Sequence, residues 1–270
     1  MHIAVCIKQV PDVAAVRIDR ERMTIVREGV QNIINPSDYQ ALSLALALRA
    51  GLGGTLTVLT MGPPQSEEAL FEAIAAGADR GVLLTDPCFA GADTLATSHV
   101  LARAISRLEP LPSVVFCGNN TTDSDTGHVG PQVAEELGLP QVCGIFEVQP
   151  ESLQTLLAKR VRDGYLETIR AACPVLFTVK GVSEPVLLPG LGSLQSAFSA
   201  GSIVRWGRNE LDLTMDETGL TGSATRVWRL RAAPHRTKGE ILTGQAHDLV
   251  KEILKRLEAM SLVEEEQIHG

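Results

Sequence analysis

The sequence predicts an α/β fold: a mostly parallel, twisted sheet with helices on both faces, followed by a long C-terminal arm that ends in an amphipathic helix. Three observations predict it. Over the first two-thirds of the chain, short apolar runs alternate with longer segments whose apolar residues recur at helical spacing. The short runs are continuous rather than alternating, the pattern of strands covered on both faces. After Val179 that rhythm stops, and an uncharged stretch, a polar linker and one amphipathic stretch follow.

The elements follow in order. The first strand is Ile3–Ile7. Asn35-Pro36-Ser37-Asp38 then offers an N-cap, a proline at the first helical position and an acid in the first turn, opening a helix over Asp38–Ala50. Gly51 stands as its C-cap. Thr55–Met61 is the second strand, Ser66–Ala76 a helix closed by Gly77, and Gly81–Thr85 the third strand. Thr94–Leu108 and Pro131–Leu137 are helices on either side of the strand Val114–Cys117; Val142–Phe146 and Val175–Val179 complete the sheet. Between those last two, Leu153–Arg162 and Tyr165–Ala171 flank Asp163-Gly164, a dipeptide that favours a tight hairpin turn.

From Pro185 to Val204 there is no charged residue, and Gly, Ser and Pro interrupt any period. Such a segment is either packed beneath something or a binding surface. Gly219–Leu230 and a polar linker with Pro234 lead to the last helix. There Leu249, Val250, Ile253, Leu254 and Leu257 share a face opposite Lys251, Glu252, Lys255, Arg256 and Glu258.

Composition narrows the function. The 24 basic and 32 acidic residues give a net charge of −8, which argues against a phosphate-neutralising nucleic-acid surface. Two Trp, two Tyr and six Phe are too few for a base-stacking platform. The 44% hydrophobic content excludes a disordered chain. Five cysteines, an odd number with no CxxC pair, read as reduced thiols. With no signal-like N-terminus and no apolar run of membrane-spanning length, the expectation is a cytoplasmic chain that is not embedded in a membrane.

The common catalytic signatures are missing. No GxGxxG follows the first strand, and there is no GxxxxGK[ST], GxSxG or HExxH. The six histidines are scattered without ligand spacing, so neither a catalytic constellation nor a metal site is expected. The informative segment is the loop Cys117 to Gln132, with Asp123, Ser124, Asp125, Thr126, Gly127, His128, Val129, Gly130, Pro131 and Gln132 at its far end. It leaves the carboxyl end of a strand and enters a helix opened by Pro131, where open α/β sheets bind ligands. A helix N-terminus and glycine amides suit a phosphate, whereas Asp123 and Asp125 suit ribose hydroxyls or free backbone amides. A plain polar loop with Asx caps and a DxD metal site are the other readings. Ile7–Asp12, Asn35–Asp38 and Met61–Pro64 line the same edge if the strands are parallel neighbours.

Taken together these residues resemble the β subunit of electron-transfer flavoproteins. The resemblance runs through IAVCIKQVPD, REGVQNIINPSDYQAL, TLTVLTMGPPQSEEALFEAIAAGADRGVLLTD, DSDTGHVGPQVAEELGLPQV and RVRDGYLETIRAACPVLFTV, then GLTGSATRVWRL and RTKGEILTG. It implies a heterodimer with an α subunit that holds most of the FAD. It also implies a nucleotide in this chain, AMP or, in the electron-bifurcating branch, a second FAD. By resemblance, Cys6 and Met61 pack the ring, Asn35, Pro36, Ser37 and Asp38 line the cleft, Asp123, Asp125 and Thr126 hold the ribose or ribityl chain, and the amides near Gly127–Gly130 take the phosphate.

The same resemblance implies electron transfer from acyl-CoA-type dehydrogenases to a membrane quinone oxidoreductase, with no bond-making chemistry in this chain. It divides the chain into an α/β nucleotide-binding domain (1–184), a partner-recognition segment (185–205) and an arm that docks on the α subunit (206–270). Departures accompany it. DSDTGHVGPQ is closer to the bifurcating branch, in which NADH is oxidised at the second flavin. Asn119-Asn120 replaces a basic residue and a Gln, and His128 replaces another Gln. The family's NEPRYPS and Lys-rich run are absent, leaving Leu188, Leu191 and Leu194 as the apolar anchor toward a partner. From another class, a universal-stress-type nucleotide-binding regulatory protein has the same sheet pattern but no need of the arm.

Overall fold

In the computed structural model, residues 1–12, 17–19, 24–26, 31–181, 189–199, 201–228 and 239–260 are described. They form two compact units, Met1–Arg226 and Val227–Gly270. The first is built on a nine-stranded sheet. Its strands are β1 (His2–Ile7), β6 (Thr55–Met61), β7 (Arg80–Leu84), β8 (Val114–Gly118), β9 (Gln141–Pro150), β10 (Thr155–Arg162), β11 (Tyr165–Ala172), β12 (Val175–Val179) and β13 (Ile203–Trp206). Their order is β11-β10-β9-β12-β8-β1-β6-β7-β13. From β9 to β13 every neighbouring pair is parallel; β10 and β11 add an antiparallel hairpin at one edge. Short strands β2 (Gln9–Pro11) with β5 (Asn32–Ile34), and β3 (Arg17–Asp19) with β4 (Thr24–Val26), form two small antiparallel ribbons that the sequence pattern did not announce.

Alternation along β1 explains why both faces are covered. Ile3, Val5 and Ile7 enter a core with α1 (Pro36–Leu52) and α2 (Glu67–Ala75), while Ala4 and Cys6 enter the opposite core with α3 (Thr94–Ser106) and α4 (Val129–Glu136). All six β1 residues are buried. The first core gains an aromatic pair, Phe116 and Phe177, on neighbouring β8 and β12 with ring centroids 5.5 Å apart. The hairpin turns where Asp163-Gly164 predicted: both residues have positive φ, 50° and 80°, matching the twist of the flanking strands.

The structure moves several expected boundaries. α1 runs through Gly51 to Leu52, and Gly53 caps it. α4 starts at Val129, so Pro131 is its third residue; this is tolerated because first-turn N–H groups have no intrahelical acceptor. The larger difference lies in the uncharged stretch. Leu191–Ser199 forms a helix, α5, and Ile203–Trp206 forms β13. α5 is not legible locally, because its Gly and three Ser are weak helix formers; β13, Ile-Val-Arg-Trp, is strand-favouring but only four residues long. Tertiary contact decides: β13 pairs with β7, with Gly81 and Thr85 donating to Ser202 and Trp206 carbonyls, and Phe198 of α5 stacks on Phe71 of α2 at 4.1 Å.

A single helical turn, α6 (Gly219–Gly222), closes the first unit. Asp93, the N-cap of α3, accepts from Ala96 N–H and also from the N–H and hydroxyl of Thr225, while Ser223 takes the Asp93 N–H at 2.8 Å. This ties the GLTGSATR segment to α3. In the second unit α7 (Ala246–Ala259) has no buried residue; Val250 and Ile253 of its apolar stripe are exposed. No described helix is long and apolar enough to cross a membrane.

Candidate functional site

The strand order places the site. From β1 the chain leaves through α1 toward β6, on one side; from β8 it leaves through α4 toward β9 and β12, on the other. The adjacent carboxyl ends of β1 and β8 are therefore a topological switch point, where departing loops diverge and leave a crevice. Every cofactor residue expected from the sequence lies at the carboxyl end of β1 or β6, on the segment leaving β8, or at the start of α1 or α4.

Asp38 holds that point together. It lies in the first turn of α1 and is 6% exposed. One carboxylate oxygen accepts the Lys8 N–H at 2.8 Å, just past β1, and the other accepts the Gly118 N–H at 3.0 Å, at the end of β8. One side chain thus pairs two backbone donors that the sheet ladder cannot reach. Burial pushes its carboxyl up to about 7, against the opposing pull of the Lys8, Asn35 and Gly118 donors. Asp38 is occupied by backbone; it shapes the crevice rather than facing into it.

Asn35 sits at the N-cap position of α1, but its side chain makes no cap. Instead, its amide nitrogen donates to the Asn120 carbonyl at 2.8 Å, and its oxygen accepts the Thr122 N–H at 3.1 Å. Ser37 donates to the Asn120 side chain at 3.3 Å, and that side chain in turn donates to Asp125. The loop is thereby buttoned onto α1. Asn35→Ala leaves this loop with two fewer anchors. The expected result is faster hydrogen exchange at Thr122 and its neighbours, with a stability loss of about 1–2 kcal/mol; unchanged exchange there would refute the anchoring role.

The two acids of the loop have protein partners. Asp123 pairs with the Lys8 ammonium, and Asp125 accepts from Asn120. Burial raises the Asp123 carboxyl, but Lys8 and the Thr121 hydroxyl outweigh it and hold it below the usual range. Each carboxylate keeps lone pairs for a hydroxyl donor. The DxD metal reading finds no support here, because the two carboxylates are engaged with different partners and no cluster of three or more metal-type ligands exists among the described residues. Ser124 bonds the Thr121 hydroxyl at 2.9 Å; Thr126 and His128 are exposed, and Gly127 turns the chain at φ 66°.

Beneath the loop, Cys6 of β1 and Cys117 of β8 are register partners on the α3/α4 side of the sheet, both buried. The Cys6 thiol beside it, together with burial, keeps the Cys117 thiol well above its ordinary range, and the two buried side chains form an apolar floor. Met61 ends β6 half-buried against the same core. α4 approaches this floor closely: a Cβ on Gly130 would sit 2.6 Å from the Thr178 methyl and 3.4 Å from Cys117 Cβ. In the first turns of α4, the Gln132 side-chain oxygen is shielded from solvent with no hydrogen-bond partner. A buried acceptor without a donor is costly. Together with the first-turn amides of the same helix, this feature fits a ligand that brings both an anion and a donor.

The sequence places Lys8, Gly118, Asn120 and Thr122 on segments of the site without singling them out, and Thr178 lies outside those segments. Lys8 and Gly118 directly follow or end apolar strands, which was a usable signal; Thr178, whose hydroxyl accepts the Gly144 N–H at 2.9 Å, carried none. Of the proposed partner anchors, Leu191 is 87% exposed and Leu194 half-buried on α5, and Leu188 lies outside the described residues. Leu191 and Leu194 lie on α5, which packs beside α2, away from the β1/β8 crevice.

Comparison with known proteins bears on this geometry. Residues 22–197 match the family described as "Electron transfer flavoprotein domain". The electron transfer flavoprotein subunit beta of Thermoanaerobacterium thermosaccharolyticum is 40% identical over 264 residues, covering 97% of this chain and 100% of that one. Protein FixA of Bradyrhizobium diazoefficiens is 41% identical over 252 residues (91% and 87%). The caffeyl-CoA reductase-Etf complex subunit CarD of Acetobacterium woodii is 39% identical over 246 residues (90% and 92%).

Proposed function

The chain belongs to the electron transfer flavoprotein family, as a β subunit, and on that premise we propose that it binds a nucleotide at the β1/β8 crevice and forms a heterodimer with an α subunit that holds most of the FAD. Family membership removes the regulatory-protein reading. The observation that carries the nucleotide is the switch-point crevice itself. Its walls are fastened by Asp38 and Asn35, its floor is the thiol pair with Met61, and α4 presents unpaired first-turn amides and the orphaned Gln132 oxygen.

In this proposal the residues act by holding, not by reacting. Cys6 and Met61 provide an apolar seat for a planar ring, Asp123, Asp125 and Thr126 receive hydroxyls, and the amides from Gly127 to Gly130 receive phosphate. FAD, when bound, supplies the one- and two-electron chemistry that these side chains lack. The exposed apolar stripe of α7 is the surface the α subunit would cover, in keeping with an arm that docks away from its own core. The electron route we propose runs from acyl-CoA-type dehydrogenases to a membrane quinone oxidoreductase. The relative named as part of a caffeyl-CoA reductase complex supports partners that act on CoA thioesters. A second reading has a specific basis: the DSDTGHVGPQ loop resembles that of the electron-bifurcating branch, in which a second FAD takes the place of AMP and NADH is oxidised there.

Co-expression with a candidate α subunit tests both. A yellow one-to-one complex that releases one flavin and AMP on denaturation is expected for the carrier, and two flavins without AMP for the second reading. A colourless assembly of this chain alone would overturn the proposal.

A further inference from the structure

A loop that carries Asp123 and Asp125 next to amides meant for phosphate has an electrostatic problem, because each carboxylate repels the incoming anion. Lys8 is placed to resolve it. Both of its backbone groups are fixed: its N–H is held by Asp38 at 2.8 Å, and its carbonyl accepts the Asn35 N–H at 2.8 Å. The side chain starts from this pinned root at the switch point and reaches the Asp123 carboxylate across the crevice. Asn119, directly after β8, carries no charge and accepts the Thr178 hydroxyl at 3.4 Å. Among the described residues, Lys8 is the one basic side chain bonded to the loop. The pair is well exposed, 43% and 36% for its two side chains, so solvent screens it and exchange of one oxyanion for another is cheap.

We propose that Lys8 is the residue that selects the nucleotide's phosphate, with Asp123 holding its ammonium until phosphate displaces the carboxylate. The inference rests on the nucleotide reading above. Exchange does two things at once. It brings a compact positive charge to the phosphate, and it releases the one Asp123 oxygen in the ion pair, Oδ2, for an additional hydroxyl donor.

The test is calorimetric titration of AMP and of adenosine into the heterodimer, for the wild type, Lys8→Gln and Asp123→Asn. The readout is the ratio of the two affinities, which cancels any shared effect on the ring or ribose. Lys8→Gln is expected to lower the AMP/adenosine ratio about tenfold and to flatten the salt dependence of AMP binding. Asp123→Asn is expected to raise the ratio several-fold, since the ammonium is then held by no competing anion. A ratio unmoved by Lys8→Gln, or lowered by Asp123→Asn, overturns the inference while leaving the crevice as a nucleotide site. A wild-type heterodimer that binds neither compound removes the nucleotide reading and this inference with it.

Discussion

Asp38→Ala is expected to cost about 3 kcal/mol of stability and to abolish nucleotide retention, a larger effect than removing any residue that touches only the loop. The reason is that two backbone donors, Lys8 N–H and Gly118 N–H, lose their acceptor together. Each interior donor left unpaired costs about 1–3 kcal/mol, offset in part by the relief of a buried carboxylate. Urea unfolding and hydrogen exchange at those two amides would measure it. A loss below about 1 kcal/mol with both amides still protected would show that Asp38 is not the fastener. The same residue predicts a pH signature. Its carboxyl titrates near 7 in the fold against an ordinary 3.8. Between those values the folded state keeps a proton that the unfolded chain has released. This contribution is therefore fully present below about pH 4 and is lost as pH rises through 7, with a slope of at most about 1.4 kcal/mol per pH unit. Asp38→Asn should be less stable overall, because its amide group faces an N–H donor, and should lack that slope.

The second large effect is at Gly118→Ala. A Cβ there would lie 2.1 Å from the Asp38 carboxylate oxygen, 2.8 Å from Asp38 N and 2.9 Å from the Ser37 carbonyl carbon. The side chain could turn aside, but the other two atoms are backbone of the first turn of α1. That turn must shift, and the Asp38 bonds go with it. Overpacking and the lost bonds together amount to roughly 4 kcal/mol, or a fall in Tm of about 10 °C. Because both substitutions break one structure, Gly118→Ala combined with Asp38→Ala should cost clearly less than the two separate losses added. Additive losses would mean that the close approach and the carboxylate act independently.

The fold was largely legible because its strands are unusually explicit. Runs such as Ile3–Ile7 and Val175–Val179 are apolar on both faces, and only a parallel sheet sandwiched by helices buries both. The crevice was legible at the level of segments, since any residue leaving such strands lies near the ligand edge. The division of labour within it was not. Asp38 read as a first-turn acid and Asn35 as an N-cap, yet their side chains bridge to residues about 80 to 90 positions away, Gly118, Asn120 and Thr122. A local rule that rewards those residue types at those positions is blind to a more distant partner. α5 and β13 failed for complementary reasons: α5 is a weak helix former that leans on Phe71, and β13 is strand-favouring but four residues long, so it depends on the ladder that Gly81 and Thr85 supply.

By itself, then, the sequence determined the layers, the strand ends at which a ligand belongs and the family resemblance, because hydrophobic period and turn chemistry are local properties. Only the tertiary structure decided the strand order that sets β1 beside β8, the fastening of both by one buried carboxylate, and the reach of Lys8 to Asp123. Those depend on which distant backbone donors and charges meet, and that is fixed when the chain closes on itself.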